Sequence, residues 1–586
     1  MTMKRTDIIV RFAALTAACF LAARCGSNDT AQELSQNPDE SVEVLYNGIV
    51  LPEQWPPQYP YPSERAEMPL PYIDNRPEHI IANVGRQLFV DDFLIAETDL
   101  ERVNHHARMY EGNPVMVGDK EWDIMDGVPF ADPYSGGVWF DEKDGKFKIW
   151  YRSGEYEVDG KKICCTAYAE SVDGKTWVKP ELDFIPGTNI IDSCFVDSRS
   201  VWVDKLEKDP ARRYKSVFVR TYGDCRYDLK YSADGIHWSE SQARSGKMQD
   251  RSTVFYNPFR NVWVASLRIV TMIRLRSRGY MEDSNLERLV RSVNWEQDEI
   301  DSLYNNENYI KKDSQMAFWF SSDDKDYKHP DPEIAIDYDP AIYNFDATAY
   351  ESLMLGQYSV WRGPENWSCR QRKIQKLNEF CVGYSRDGFH FYRPDHTPFM
   401  ESRQEEEVWN YGNMQPAIGN PCIVGDSLYF FCGGHKRNDI YWDGWTSTGL
   451  GILRRDGFVS MNDNGKGGTL TTWPLVFDGK YFFVNASAGV LAVEVLDEAG
   501  NPVKGYGKDD CKVLKEFDST KQRVVWKGHR SLAGLAGTPL RFKFYLTDGE
   551  LYAFWISPWK TGESRGYLGG GGPGLNPTGI DVPFKK

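Results

Sequence analysis

Acidic side chains recur where successive strand-like stretches of the sequence begin. Asp132 precedes Pro133 at the start of the first stretch, Asp250 opens the third, and Glu351 follows Tyr350 in the fourth. Carboxyl groups gathered in one pocket can break a glycosidic bond: one acts as nucleophile or base, and a second, kept protonated, protonates the leaving oxygen. A third carboxylate nearby raises the pKa of the proton donor. We therefore predict Asp132, Asp250 and Glu351 as catalytic residues.

Other polar residues occupy comparable positions. Glu282 and Asp346 are alternatives to Glu351. The second stretch begins with Asp197, whereas the fifth has Asn413 and Gln415 where an acid would stand.

Basic side chains alternate along part of the third stretch. Arg274, Arg276 and Arg278 are two residues apart, so on a strand they share one face. The planar guanidinium group matches carboxylate and sulfate groups, so such a row in a cleft would hold a uronate or a sulfated sugar. The alternative is an outer strand whose arginines pair with surface acids. The predicted substrate-binding residues are Arg251, Arg268, Arg276, Tyr350 and Gln415.

Metal chemistry has little support in the sequence. No CxxC pair is present, and the histidines, among them His105, His106 and His435, are not clustered with the spacing of a zinc site. We predict no catalytic metal and no required cofactor. A structural cation such as calcium in a central channel is left open.

A short repeated phrase indicates the elements that position these residues. Ser-x-Asp-Gly followed by an aromatic residue occurs at 171–177, 232–238 and 385–391, with weaker copies from Ser321 and Arg454. Asp-Gly is a tight-turn signal, because glycine adopts positive φ without cost. Five copies, each with about four strand-like runs, predict a five-bladed β-propeller. The predicted blades lie near 128–185, 190–245, 248–335, 340–400 and 405–462.

The predicted fold class is all-β, a five-bladed β-propeller followed by a C-terminal β-sandwich. The propeller is assigned to 85–464, and alternating strand-like runs place the sandwich at 465–586. Residues 26–84 form a polar linker and a Pro-rich N-terminal extension. Helical spacing after Ser284, which resembles a capping box with Glu287, predicts a helical insertion near 284–310.

Residues 1–25 have the pattern of an export signal. Basic residues precede an apolar run over 12–23, which is too short to span a bilayer well. The run is followed by Cys25, and this layout resembles a bacterial lipoprotein signal in which the cysteine is lipidated; Cys19 is the alternative. We expect an exported protein, lipid-anchored at the outer membrane, in the periplasm or at the cell surface.

Composition restricts the class of partner. The 586 residues include 69 basic and 85 acidic side chains, so the net charge is −16. Such a chain lacks the positive footprint of a nucleic-acid-binding protein. Aromatic residues, 14% of the chain, offer flat surfaces for sugar rings. We expect a carbohydrate partner, no nucleic acid, membrane contact only through the N-terminal lipid, and a monomer.

Together these features resemble the five-bladed propeller glycosidases of glycoside hydrolase families 43 and 32. The segment Ala131-Asp132-Pro133, followed by strand-like 138–140 and 145–151, is similar to their first blade, and the downstream sandwich is similar to the family 32 arrangement. Over about 85–586, the resemblance implies that Asp132 is the base or nucleophile. It also implies that Glu351 is the general acid and that Asp250 is the third acid, which orients the reacting groups and tunes the pKa of the proton donor. The chain departs from the pattern, with no Asn before Asp132 and no Arg-Asp-Pro at 250.

The resemblance implies an exported glycoside hydrolase acting on a plant, algal or host polysaccharide or oligosaccharide, with its acids in the central funnel. Two alternatives stay open. One is a non-catalytic glycan-binding surface lipoprotein, since one fold hosts many functions. The other is a phosphorylase or transferase on the same propeller, which needs a basic phosphate pocket; the arginine row is the feature in its favour.

Overall fold

The computed structural model describes residues 42–584 except 61, 134, 195, 221–224, 272–274, 295–315, 406 and 438–444. The predicted signal, Cys19, Cys25 and Arg274 therefore lie outside the described residues. Within the described part, no helix is long and apolar enough to cross a membrane. Its α-helices are α1 (Pro71–Asp74), α2 (Leu286–Ser292), α3 (Pro332–Ala335) and α4 (Asn366–Arg372).

Eight short strands precede the first blade and belong to three different sheets. The first four join the C-terminal sheet, the next two join the fifth blade, and the last two pair with each other. They are β1 (Ile80–Ile81), β2 (Gln87–Leu88), β3 (Ile95–Thr98), β4 (Glu101–Asn104), β5 (Arg108–Met109), β6 (Met116–Val117), β7 (Ile124–Met125) and β8 (Val128–Pro129).

The predicted five-bladed β-propeller is confirmed. The first three blades are four-stranded antiparallel sheets whose strands follow chain order from the centre outward. The first blade contains β9 (Val138–Asp141), β10 (Lys146–Val158), β11 (Lys161–Ser171) and β12 (Ile190–Asp192). The second contains β13 (Val196–Val203), β14 (Tyr214–Arg220), β15 (Arg226–Ser232) and β16 (Ala243–Arg244). The third contains β17 (Thr253–Asn257), β18 (Val262–Val270), β19 (Arg276–Asp283) and β20 (Ala317–Phe320).

The last two blades borrow strands from distant parts of the chain. The fourth has β21 (Ala341–Glu351), β22 (Leu353–Trp361) and β23 (Asn378–Ser385). The fifth has β24 (Gly412–Pro416), β25 (Cys422–Val424), β26 (Ser427–His435) and β27 (Thr446–Arg454). On the outer edge of the fifth blade, β5 and β6 pair antiparallel with β27. The N-terminal segment thus completes the last blade.

The C-terminal β-sandwich is a ten-stranded sheet with its own apolar core. Its C-terminal strands are β28 (Val459–Asn462), β29 (Gly468–Thr472), β30 (Leu475–Val476), β31 (Tyr481–Asp497), β32 (Leu514–Arg523) and β33 (Leu540–Ser557). The two long strands β31 and β33 pair along their whole length. The remaining strand, β34 (Tyr567–Leu568), leaves this sheet and pairs with the end of β21.

The strand pairing differs from the predicted domain limits. β2, β3 and β4 fall inside the predicted propeller range of 85–464 but pair with β33, β29 and β28 of the sandwich. β28 itself precedes residue 465. The sandwich is therefore built from both ends of the described chain, because hydrogen-bonded partners in a sheet need not be near in sequence.

The repeated phrase forms the turn that the sequence predicts. In the second copy, the Ser232 hydroxyl accepts from the Gly235 N–H at 2.9 Å, and Asp234 accepts from the next N–H at 2.8 Å. Gly235 has φ +83°, and the Trp150 indole of the first blade donates to its carbonyl at 2.6 Å. This turn thus also fastens the second blade to the first.

Helix α2 lies within the predicted insertion, but its N-cap is Asn285 rather than Ser284. The Asn285 side chain accepts from the Arg288 N–H at 2.9 Å. Leu286, Leu289 and Val290 are buried against the second and third blades. The rest of the predicted insertion, from 295 to 310, lies outside the described residues.

Candidate active site

The chain enters every blade of a propeller along its innermost strand, so the starts of these strands gather at one end of the central axis. In the first three blades an aspartate stands there: Asp132 just before β9, Asp197 in β13, and Asp250 just before β17. The fourth and fifth blades bring Tyr343 and Asn413 to the same level of β21 and β24.

Asp132 is 1% exposed and lies between the first and fifth blades. Its backbone pairs with that of Arg152 on β10. Its carboxylate is 3.5 Å from Nε2 of buried His435, which is 3.1 Å from the Asn413 amide. A methyl group at Gly433 would lie 2.0 Å from Asp132 Oδ1, so β26 approaches the carboxylate at a position where only glycine fits.

Asp250 faces a cluster of arginines. Its carboxylate pairs with Arg268 at the end of β18, and Arg276 begins the adjacent strand β19. Burial works to raise the pKa of Asp250, but Arg268, Arg276 and Arg251 outweigh it and hold the pKa at about 2. Asp250 is therefore ionised at neutral pH.

Basic side chains surround Tyr343 on β21. We call the surface formed by Arg251, Arg268, Arg276 and Lys376 the cationic wall. The Tyr343 hydroxyl accepts from Lys376 Nζ at 3.0 Å, and the Arg276 guanidinium lies over the Tyr343 ring at 4.0 Å. Burial would raise the pKa of Tyr343, yet Lys376, Arg251 and Arg276 together lower it. Burial, with the charge of Arg268, lowers the pKa of Arg276 to about 9. The wall therefore favours the approach of an anion.

Contacts between neighbouring blades connect these residues in a closed ring around the central axis of the propeller. Asp197 of the second blade accepts from the Arg251 N–H of the third at 2.8 Å. The Asn413 N–H of the fifth donates to the Lys376 carbonyl of the fourth at 2.8 Å. Asp197 and Arg152 line one small cavity between the first and second blades. We call this set the funnel ring: Asp132, Arg152, Asp197, Asp250, Arg251, Arg268, Arg276, Tyr343, Lys376, Asn413 and His435.

Asp346, the alternative to Glu351, lies deeper, on β21. It is 3% exposed, and burial raises its pKa to about 6 against the effects of Thr253 and Arg278. Thr253 and Asn344 hydrogen-bond to its carboxylate and offset part of this rise. The amide oxygen of buried Gln415, on β24 of the neighbouring blade, has no hydrogen-bond partner among the described residues.

The structure separates Glu351 from Asp132 and Asp250, contrary to the prediction. Glu351 ends β21, eight residues beyond Tyr343, and an extended strand rises about 3.3 Å per residue, so the two lie roughly 25 Å apart. Glu351 is fully buried and bonds Arg455 at 3.2 Å and Ser564 at 2.6 Å.

Some of the other predicted residues lie in the funnel ring and others lie outside it. Tyr350 donates to Asp456 at 2.6 Å, next to Glu351 and away from the ring. Gln415 lies on β24 beside Asn413, below the ring. Glu282 is engaged by Arg260 and Tyr280 and takes no part in it. Arg251, Arg268 and Arg276 do belong to the funnel ring, and Arg278 is buried beneath them, donating to the Arg251 carbonyl at 3.0 Å.

Six members of the funnel ring are not among the predicted site residues: Arg152, Asp197, Tyr343, Lys376, Asn413 and His435. Asp197 and Asn413 carry a signal, since each opens a blade as Asp132 opens the first. The spacing of Arg152, Tyr343, Lys376 and His435 carries none, because their place follows from contacts within and between blades.

Outside the ring, two groups of described residues have the spacing to hold a cation. Asp323, Asp326 and His396 form the buried one, but Arg393 pairs with both aspartates and compensates their charge. Glu78, His79 and Glu498 form the other, at the surface. Neither bears on the chemistry of the funnel ring.

Fold and ring together define the class: a five-bladed β-propeller with a polar, partly cationic funnel, joined to a β-sandwich. No protein-family model matches the sequence, and no curated protein matches it. Solved structures with a similar fold include a fructofuranosidase from Schwanniomyces occidentalis (9% identity, TM-score 0.35, covering 77% of this chain and 97% of that one). They also include β-1,2-mannobiose phosphorylase from Listeria innocua (12%, 0.35, 59% and 96%) and a glycosyl hydrolase from Bacteroides ovatus (12%, 0.35, 63% and 97%). At these values the similarity carries no argument about activity.

Proposed function

We propose that the protein is a glycoside hydrolase whose active site is the funnel ring. The observation that supports this is the convergence of Asp132, Asp197 and Asp250 from the first three inner strands beside a cationic wall. Several carboxyl groups in one concave polar site suit the cleavage of a glycosidic bond.

In the proposed reaction Asp132 is the base or nucleophile. Asp250 is held ionised by arginines, so it stabilises positive charge and does not donate a proton. Asp346, with a pKa of about 6, supplies the proton to the leaving oxygen, through water where it does not reach directly. Overall, the anomeric carbon–oxygen bond breaks, the leaving oxygen gains a proton, and the anomeric carbon gains the hydroxyl of water.

The cationic wall further suggests that the substrate is acidic. Arg251, Arg276 and Lys376 lie around Tyr343, and their charge is strong enough to lower the pKa of its phenol in a buried site. Guanidinium groups bind carboxylate and sulfate groups with two matched hydrogen bonds. We propose that they hold a uronate carboxylate or a sulfate ester on the sugar.

The test is a product screen with the protein lacking residues 1–25. Neutral, uronate-containing and sulfated glycans would each be incubated with wild type, Asp132→Asn and the exposed control Asp183→Asn, and released sugars measured by mass. We expect product with wild type and Asp183→Asn and none with Asp132→Asn, which should keep its circular dichroism spectrum. Full turnover by Asp132→Asn would refute the assignment. Retention of a glycan by all three without product would identify a binding protein.

A second candidate, a glycoside phosphorylase, is favoured by the same wall, because inorganic phosphate is also an anion that arginine binds bidentately. In that reaction phosphate oxygen, in place of water oxygen, bonds to the anomeric carbon, and the product is a sugar phosphate. Turnover that requires added phosphate and yields a sugar phosphate would select this function over hydrolysis.

We also propose export and lipid anchoring through Cys25, supported by the basic and apolar pattern of residues 1–25. Metabolic labelling with a fatty-acid analogue should mark the wild type and Cys19→Ser but not Cys25→Ser. Loss of the label only in Cys19→Ser would show that Cys19, and not Cys25, is the lipidated residue.

A further inference from the structure

A second cavity, of about 560 Å³, opens at the rim of the fifth blade. One wall is the segment that precedes β24, including Trp409, and the opposite wall is the segment between β5 and β6, including Tyr110. Lys436 after β26 and Trp445 before β27 complete it. The volume is in the range of small-molecule sites in proteins.

Trp409 is fixed against the floor of this cavity by two glycines. A methyl group at Gly434 would lie 2.5 Å from its six-membered ring, and one at Gly449 would lie 1.9 Å from it. Any side chain at either position would push the indole away. The pair of glycines on β26 and β27 thus seats the indole directly on the sheet, while Trp409 remains only partly buried.

Trp445 adds a more exposed aromatic surface surrounded by charged groups. It is 38% exposed, and Lys436 Nζ lies 4.8 Å from its ring centroid. Lys436 also pairs with Glu407, and Arg403 pairs with Glu405 at 2.7 Å. Apolar aromatic faces bordered by hydrogen-bonding groups match a sugar ring, which has apolar faces and a hydroxyl rim.

The cavity lies directly behind Asp132, the proposed catalytic base or nucleophile. Gly433 and Gly434 are successive residues of β26, so positions for their side chains point to opposite faces of the strand. Asp132 fills the space on the Gly433 side, and Trp409 fills the space on the Gly434 side. One strand therefore separates the funnel ring from the aromatic cavity.

We infer that this cavity is an accessory glycan-binding site that holds a sugar residue remote from the bond that is cleaved. The inference rests on the proposed function for its substrate, since a site beside the funnel would select chains of several sugars over short glycosides. Binding would be driven by the sugar's apolar face on Trp445 and Trp409, with Arg403, Glu407 and Lys436 bonding its hydroxyls.

The test separates binding from catalysis. Affinity electrophoresis through gels containing alginate, pectin, carrageenan, xylan or mannan would compare wild type with Trp445→Ala, Trp445→Phe and Asp132→Asn. The control is Trp367→Ala, which removes another exposed tryptophan, 58% exposed, on α4 and outside the cavity. For at least one polysaccharide we expect about tenfold weaker binding in Trp445→Ala, near wild-type binding in Trp445→Phe, and no change in Trp367→Ala. Asp132→Asn should still be retained, because its aromatic cavity is intact.

Binding by Trp445→Ala equal to wild type for every retained polysaccharide would overturn the inference, as would failure of wild type to be retained by any of them. If the protein proves to have no hydrolytic activity but Trp445-dependent retention is observed, the proposed hydrolase fails and the accessory site stands. If activity is found, Trp445→Ala should also lose the preference of wild type for long chains in KM while keeping kcat on a short substrate.

Discussion

At the scale of single residues, the candidate site and the strand β21 beneath it contain two carboxyl groups whose environments move their pKa values in opposite directions. Arginines hold the pKa of Asp250 at about 2, whereas burial raises that of Asp346 to about 6. Such a divergence separates the group that stays ionised from the group that can donate a proton. Neither assignment follows from the residue type, since both are aspartates.

Asp346→Asn tests the proposed proton donor. We expect it to lower kcat about 100- to 1000-fold on natural glycosides, because their leaving oxygen must be protonated. It should lower kcat much less on a dinitrophenyl glycoside, whose leaving group departs unprotonated. Activity needs protonated Asp346, so the wild-type rate should fall as pH rises through about 6, and the variant should lose this limb. Equal losses on both substrates would point to a structural role instead.

Arg276→Gln tests the anion-binding wall. A charge-assisted hydrogen bond contributes about 1.5–3 kcal/mol, so we expect KM for a uronate or sulfated substrate to rise roughly 10- to 100-fold. KM for the matched neutral substrate should change little. The control Arg288→Gln removes an exposed arginine on α2 and should leave both values unchanged. A similar rise in KM for neutral and acidic substrates would argue against anion recognition.

Residue type and strand position locate only part of the site. Asp132 and Asp250 are predictable because each stands just before an inner strand. Glu351 is misplaced because strand position alone does not say which end of β21 faces the funnel. The funnel ring also contains Lys376, just before β23, and His435, at the end of β26. Lys376 meets Tyr343 and His435 meets Asp132 only after the strands and blades have packed.

At the scale of elements, the Ser-x-Asp-Gly turn was the most informative sequence signal. Its local hydrogen bonds form within seven residues, so sequence alone indicates both the turn and the number of blades. The two-residue strands β5, β6 and β34 gave no such signal. They are too short for periodicity, and their partners lie more than 200 residues away.

Two copies of the turn form a matched pair for measuring its contribution. Asp173 is exposed and accepts two backbone N–H bonds at 2.8 Å; Asp387 is buried, accepts two at 2.8 and 2.9 Å, and also bonds His390. Removing a buried partner leaves unsatisfied donors. Urea denaturation should show a loss of about 1 kcal/mol for Asp173→Ala and about 3 kcal/mol for Asp387→Ala. Equal losses would show that burial of the turn adds nothing.

At the scale of the whole molecule, propeller and sandwich are joined by buried charges. Arg86 of the N-terminal segment pairs with Asp456 at 2.7 Å and lies 3.4 Å from Glu351 of the fourth blade. The Arg86 guanidinium also lies over the Trp555 ring of β33 at 4.2 Å. Because four distant parts of the chain meet here, this cluster ties the completed fold together.

Glu351→Gln distinguishes this structural role from the catalytic one. Removing one charge from a buried network leaves Arg86 and Arg455 under-compensated, so we expect a loss of about 3 kcal/mol in the free energy of unfolding. Because Glu351 lies far from the funnel ring, kcat and KM should stay within twofold of wild type below the unfolding transition. The control Glu498→Gln breaks a surface pair with His79 and should cost less than about 1 kcal/mol. Loss of kcat with unchanged stability would instead place the active site at the junction of propeller and sandwich, and the funnel ring would lose its role.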